Sequence, residues 1–303
     1  GNTVTQAFWP RLTESKERHR LLFVMRNVER IDRLFGPDWL DTEQAFGKFI
    51  PTDQNIPSSI KHLLPHTSFI FDPPITTLGK YTAQMVGRAM SHRGATPRQI
   101  VCSPALRCVQ TASAIASLLG LTVGIEYGLA EPHSWFVSDE GSLITPEYIS
   151  PEQFATLGYS VDPTYVPVLD ERALRKHKKE SEQGCRERVD FVLRYLGTEI
   201  REGPLLVIGH AITLQVATDM GKRYSIRQLL QYQISFTANQ PGTIQRSDGE
   251  PVDVLNLGLK YPYGSVVSLA RVNKAVPYAY RICRNLIPPL TFGRYFSNKP
   301  IVD

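Results

Sequence analysis

Leu21-Leu22-Phe23-Val24-Met25 is a continuous apolar run that stops abruptly at Arg26, the pattern of a short strand covered on both faces. Gln99 to Cys102 repeats it, as does Pro204 to Ile208, which ends in Gly209-His210, and Thr122 to Tyr127 reads as a further strand. Between these runs the apolar spacing becomes helical. Leu78, Tyr81, Met85 and Ala89 mark one helix, with Thr76 or Thr77 as N-cap. A second carries Val109, Ala112, Ile115, Ala116 and Leu119, with Ser103 as N-cap, Pro104 at the first helical position and Gly120 closing it. Val189 to Leu196 and Ala211 to Met220 are two more, the latter ended by Gly221. The alternation predicts an α/β fold with a mostly parallel central sheet and helices on both faces, in which ligands sit beyond the carboxyl ends of the strands. Arg26, Ser103 to Arg107, and His210 all fall at that edge.

Two stretches interrupt the alternation. Residues 36–74 are punctuated by Pro37, Pro51, Pro57, Pro65, Pro73 and Pro74, which predicts a long surface excursion. Trp135 to Gly184 reads as an insertion capping the site, so the expected organisation is a polar N-terminal arm over 1–19 and one domain over 20–303. No repeat or low-complexity segment occurs. Without a long apolar run or a secretory pattern, the expectation is a cytoplasmic chain with no membrane association. It begins at Gly1 rather than methionine, which reads as a piece of something longer.

Charge narrows the picture only a little. A net charge of +5 over 303 residues suits anionic ligands. The densest basic run, Arg172 to Lys179, is bracketed by Glu171 and Glu180 and has no aromatics for stacking on bases, so it reads as a solvated face rather than a nucleic-acid site. Four cysteines, with no close C-x-x-C pair, suggest reduced thiols and no zinc site. No metal or cofactor is expected.

The chemistry gathers at the strand ends. Arg26, Arg30, Arg107 and His210 together form a donor set suited to an oxyanion, because guanidinium forks match phosphate oxygens and Arg107 falls in the first turn of a helix whose N–H groups favour an anion. Each residue also has a plainer reading. Arg30 and Arg33 flank Asp32 and suit surface ion pairs, Arg107 suits a pair with Glu131, and His210 suits a satisfied core position.

In order, these residues resemble a known pattern. Arg26-Asn27-Val28-Glu29-Arg30 resembles the R-H-G-E-R signature of the histidine phosphatase (phosphoglycerate-mutase-like) superfamily. Ser103-Pro104-Ala105-Leu106-Arg107 through Thr111-Ala112 is similar to its S-P-x-x-R-x-x-x-T-A helix start, and Ile208-Gly209-His210-Ala211 to its second G-H motif. The branch with the suppressors of T-cell-receptor signalling and the ecdysteroid-phosphate phosphatases is nearer still. Glu29 to Gly36, Asp72-Pro73-Pro74-Ile75-Thr76 to Gly79, and Leu157-Gly158-Tyr159 with Tyr165 and Pro167 have counterparts there, and the resemblance spans roughly residues 20 to 290. It implies that Arg26, Arg30, Arg107 and His210 hold a phosphoryl group, that Glu131 stands where the acid protonates the leaving oxygen, and that relatives form dimers with ubiquitin-binding and SH3-type modules upstream.

One departure shapes the expected function. Asn27 stands where the resemblance places the attacking histidine, and an amide nitrogen, its lone pair delocalised, donates hydrogen bonds but does not attack phosphorus usefully. Val28 replaces the motif's glycine, a second change beside the first that reads as divergence. His133, two residues after Glu131, is the one histidine near the expected mouth of the site that offers a substitute; His19, His62, His66, His92 and His177 read as remote. The expectation is therefore a pseudophosphatase that binds phosphate or a phosphorylated ligand. The alternatives are a weak phosphomonoesterase on phosphotyrosine or a steroid phosphate, and an interaction protein with protein partners and a vestigial pocket.

Overall fold

The computed structural model describes residues 18–40, 49–63, 68–176, 179–222, 252–276 and 278–302. Four parallel strands form the centre of a six-stranded sheet: β1 (Leu21–Arg26), β2 (Gln99–Cys102), β3 (Val123–Ile125) and β4 (Leu205–Gly209). The order is β3-β2-β4-β1, and two antiparallel strands, β5 (Val266–Arg271) and β6 (Tyr280–Ile282), extend the sheet past β1. The strands β5 and β6 were not foreseen in the sequence.

The unbroken apolar character of β1 has a simple cause. Successive side chains point to opposite faces, and both faces are covered. Phe23 and Met25 join Ile100, Cys102, Leu206 and Ile208 under α2 (Thr77–His92) and α3 (Leu106–Leu119). Leu22 and Val24 join Val101, Leu205 and Val207 under α6 (Glu182–Glu199), α7 (Ala211–Met220) and α8 (Val254–Lys260). The remaining helices are short: α1 (Ile31–Phe35), α4 (Pro151–Thr156) and α5 (Glu171–Lys176). A small hairpin, β7 (Thr291–Gly293) with β8 (Phe296–Ser297), lies near the end of the chain.

Several expectations are corrected. The helix predicted from Leu78, Tyr81 and Met85 is real and Thr76 caps it, but those three side chains are exposed; the face that packs is Gly79, Ala83, Val86, Gly87 and Met90. Small residues allow α2 to lie close on α3, whose Ile115 Cγ2 would stand 3.1 Å from a Cβ at Gly87. Helix α3 begins at Leu106 after Ala105, not after Ser103, because Ser103 turns its hydroxyl to His210 instead. The proline-punctuated stretch is not merely a surface excursion: Trp39, Ile56, Ile60, Leu63 and Phe69 enter the core. In the later excursion Phe154 is also core, and Val161 bridges to Val123 beside the outer edge of the sheet. Arg172, Arg175 and Lys176 of the basic run are exposed on α5 around one buried Leu174, with Arg175 paired to Glu171. His66 and His177 lie outside the described residues, as does the N-terminal arm through residue 17.

The register positions the site. Arg26 stands opposite Gly209 and Cys102 opposite Ile208, so three neighbouring strands end at one level. The backbone N–H groups of Asn27 and Ser103 continue the ladder to Gly209 O and Ile208 O, both at 2.9 Å. Gly209 is required here, since a Cβ would lie 2.4 Å from Thr213 Oγ1, the atom that accepts the His210 N–H.

Candidate active site

A cavity of about 850 Å³ opens over this edge, and Arg26, Asn27, Arg30, Arg107, Glu131 and His210 all line it. These are the six residues selected from the sequence. Each guanidinium already has a partner. Arg26 donates to Tyr261 O at 2.8 Å and lies 4.0 Å over the Tyr263 ring. Arg30 makes a two-point contact with Asp32 at 3.0 and 2.8 Å. Arg107, 3% exposed, donates to Glu131 Oε2 at 2.6 Å and stands 3.9 Å from Asp72 Oδ1. The expected ion pairs of Arg30 with Asp32 and of Arg107 with Glu131 therefore form within the cavity lining, while Arg26 is held by a carbonyl and a ring.

His210 lies at the centre with Nε2 2.8 Å from Ser103 Oγ and Nδ1 3.1 Å from an Arg107 nitrogen. Arginine only donates, so Nδ1 accepts and the ring proton sits on Nε2, facing the serine hydroxyl. Glu131 Oε1, 3.4 Å from Nδ1, is then a neighbour and not an ion-pair partner. Burial drives the His210 pKa down to about 3, and Arg107, Arg30 and Arg26 push the same way against Glu131. Burial opposes ionisation of Glu131 too, yet Arg107, His210 and Arg30 outweigh it and hold the carboxyl near 2. Arg26 is lowered by burial and by repulsion from Arg30 and Arg107. Like charges held together in this way favour an added anion.

Asn27 is 2% exposed, and its amide nitrogen donates to the Val28 carbonyl at 2.9 Å. Val28 is fully buried, with its N–H on Thr111 Oγ1 at 3.2 Å. Its branched side chain packs closely on Gly79, where a Cβ would stand 3.2 Å from a Val28 methyl group. His133 does not sit at the mouth as expected. It is 2% exposed and meets Phe136 edge-on, ring centroids 6.5 Å apart, while Trp135, Phe136 and Val137 line the cavity.

Sequence reasoning missed Asp72 and the apolar rim. Asp72 Oδ1 accepts the Leu106 N–H at 2.8 Å, so the helix start expected to attract an anion already holds a carboxylate of the chain. Ile70 and Phe71 just before it, with Trp135, Phe136, Leu255 and Leu259, give the cavity an apolar wall. An acidic residue beside two prolines is the visible signal for Asp72, but no spacing ties it to Leu106, 34 residues on.

Comparison with known proteins bears on this geometry. Residues 69–136 match the family model for the histidine phosphatase superfamily (branch 1). This chain carries a histidine phosphatase superfamily domain. The ecdysteroid-phosphate phosphatase of Drosophila melanogaster is 28% identical to it over 86% of the chain and 32% of that protein. The ubiquitin-associated and SH3 domain-containing protein B of Mus musculus is 35% identical over 66% of the chain and 32% of that protein. The chain thus spans about a third of the length of the curated relatives it matches. The fold is similar to the crystal structure of the ecdysone phosphate phosphatase from Bombyx mori in complex with tungstate, with TM-score 0.62 and 24% identity over 91% of this chain and 98% of that one. The histidine phosphatase domain therefore has phosphatase relatives and a phosphoglycerate-mutase-like fold. Among the described residues no helix is long and apolar enough to cross a membrane.

Proposed function

We propose that this histidine phosphatase domain is a pseudophosphatase, which binds phosphate or a phosphorylated ligand between Arg26, Arg30, Arg107 and His210 without forming a phosphoenzyme. The observation that carries the reading is Asn27 at the carboxyl end of β1, where the family motif has its attacking histidine, with its amide spent on the neighbouring carbonyl. Among the groups around it, His210 holds its proton toward Ser103, and Cys108, pushed up to about 12 by burial, is not a thiolate at neutral pH. The apolar wall supports a ligand whose phosphate is attached to an aromatic or other apolar body, as the name of the similar ecdysteroid-phosphate phosphatases suggests for their substrates. Four free cysteines support the cytoplasmic setting included in this reading.

The test is hydrolysis of p-nitrophenyl phosphate by the unaltered chain and by the Asn27→His, Val28→Gly variant. Turnover should be confined to the double variant, with phosphate trapped on the introduced ring. Equal turnover by the unaltered chain would overturn the proposal. A second reading, an interaction protein with a vestigial pocket, is favoured by one observation: all three arginines have partners within the chain. Failure of the chain to bind a dianion at millimolar concentration would decide for it.

A further inference from the structure

Asp72 has no part in the reading above, yet it is the second carboxylate on Arg107. It is 2% exposed, one oxygen takes the Leu106 N–H at the start of α3 and lies 3.9 Å from the Arg107 guanidinium, and Oδ2 has no hydrogen-bond partner. A buried carboxylate oxygen left unpaired is costly, and a proton on it relieves the cost. Resting on the anion-pocket reading, we propose that Asp72 is a proton-accepting member of the site: an incoming dianion at Arg107 is accompanied by protonation of Asp72, so the ligand and one proton bind together.

The charge balance shows why. Three arginines, Arg26, Arg30 and Arg107, face three carboxylates, Asp32 on Arg30 and Asp72 and Glu131 on Arg107, so with all ionised the cluster is already balanced and a dianion would add two uncompensated negative charges. One carboxylate must give way. Glu131 is held near 2 by Arg107, His210 and Arg30 and stays ionised, whereas burial lifts Asp72 to about 7 against the pull of Arg107, Leu106 N–H and Arg30. The other groups acting on or responding to Asp72 are Glu131, Tyr148 and Cys108; burial holds both Tyr148 and Cys108 neutral. A bound dianion raises the Asp72 pKa further by like-charge repulsion. Binding then takes up a proton above pH 7, and affinity falls as pH rises by as much as about tenfold per pH unit. Once protonated, Asp72 also no longer competes for Arg107.

Sulfate is the probe, since it stays dianionic from pH 5.5 to pH 9. Calorimetric titrations of the unaltered chain at pH 8 in two buffers of different ionisation enthalpy give the proton count directly. Close to one proton per sulfate is expected, and none would overturn the proposal without any variant. Asp72→Asn keeps an acceptor for the Leu106 N–H and removes the titrating group. It should bind sulfate about tenfold more tightly at pH 8, take up no proton, and match the unaltered chain below pH 6. An unchanged pH slope in this variant would equally overturn the proposal. Sulfate binding with no proton uptake defeats the Asp72 role alone, and no binding to either protein defeats the anion pocket as well.

Discussion

Two buried arginines separate structure from site. Arg188 on α6 is 1% exposed and Arg107 on α3 is 3% exposed, burial opposes the charge of each, and nearby anionic groups raise both above the ordinary guanidinium range. Their surroundings differ. Arg188 donates to Gly128 O at 2.7 Å, to Ala130 O at 3.0 Å from two nitrogens, and to Glu180 and Cys185, with its charge enclosed by the chain. Arg107 meets two carboxylates and a histidine and stands at the wall of a cavity of about 850 Å³. A buried charge by itself therefore marks nothing; a buried charge whose partners can be exchanged for a ligand marks a candidate site.

The comparison breaks most visibly at Arg188. Replacing it with Ala removes the guanidinium from buried Glu180 and from the Gly128 and Ala130 carbonyls, and a loss of about 3–5 kcal/mol is expected in urea unfolding. Arg107→Gln should cost less, about 1–3 kcal/mol, because the cavity admits water to Glu131, but it should weaken sulfate binding roughly tenfold to hundredfold. Equal stability losses at the two positions would erase the distinction. The smallest effect concerns His210. Its folded pKa near 3 lies below the ordinary 6.5, so the unfolded chain gains a proton as pH falls through 6.5 that the folded chain refuses. Asp72 and Glu126, lifted by burial to about 7, act in the opposite direction between pH 7 and the ordinary carboxylate range. His210→Gln should therefore gain stability relative to the unaltered chain between pH 7 and pH 5, read from unfolding at each pH. A constant difference would show that the ring is not held neutral.

The Arg188 cluster also shows how legibility differs within one chain. Arg188 holds the Ala130 carbonyl, one residue before Glu131, and Glu126 fixes Val168 and Leu169 to the same loop. Neither link has a periodic signature, since each joins a helix or loop to a segment 42 to 60 residues away. By contrast β1, β2, β4 and α3 were legible, because a strand covered on both faces and a helix with one apolar stripe are local patterns. The face of α2 was misread for the same reason. Its large apolar residues point to solvent, while glycine and alanine make the close contact with α3.

The succession of β1 to β4 with helices α2, α3, α6 and α7, and the substitution of Asn27 at the end of the first strand, were determined by the sequence alone, since burial of apolar runs and the chemistry of an amide are properties of the residues themselves. Which partners the charged groups take was decided only by the tertiary structure. Ser103 reaches His210 across 107 residues because sheet register brings the ends of neighbouring strands within hydrogen-bond range, and Asp72, from the preceding loop, reaches the Leu106 N–H and stands 3.9 Å from Arg107 at the helix start that follows β2. Electrostatic partnership depends on distance in space and on exclusion of water, and neither is encoded in spacing along a chain.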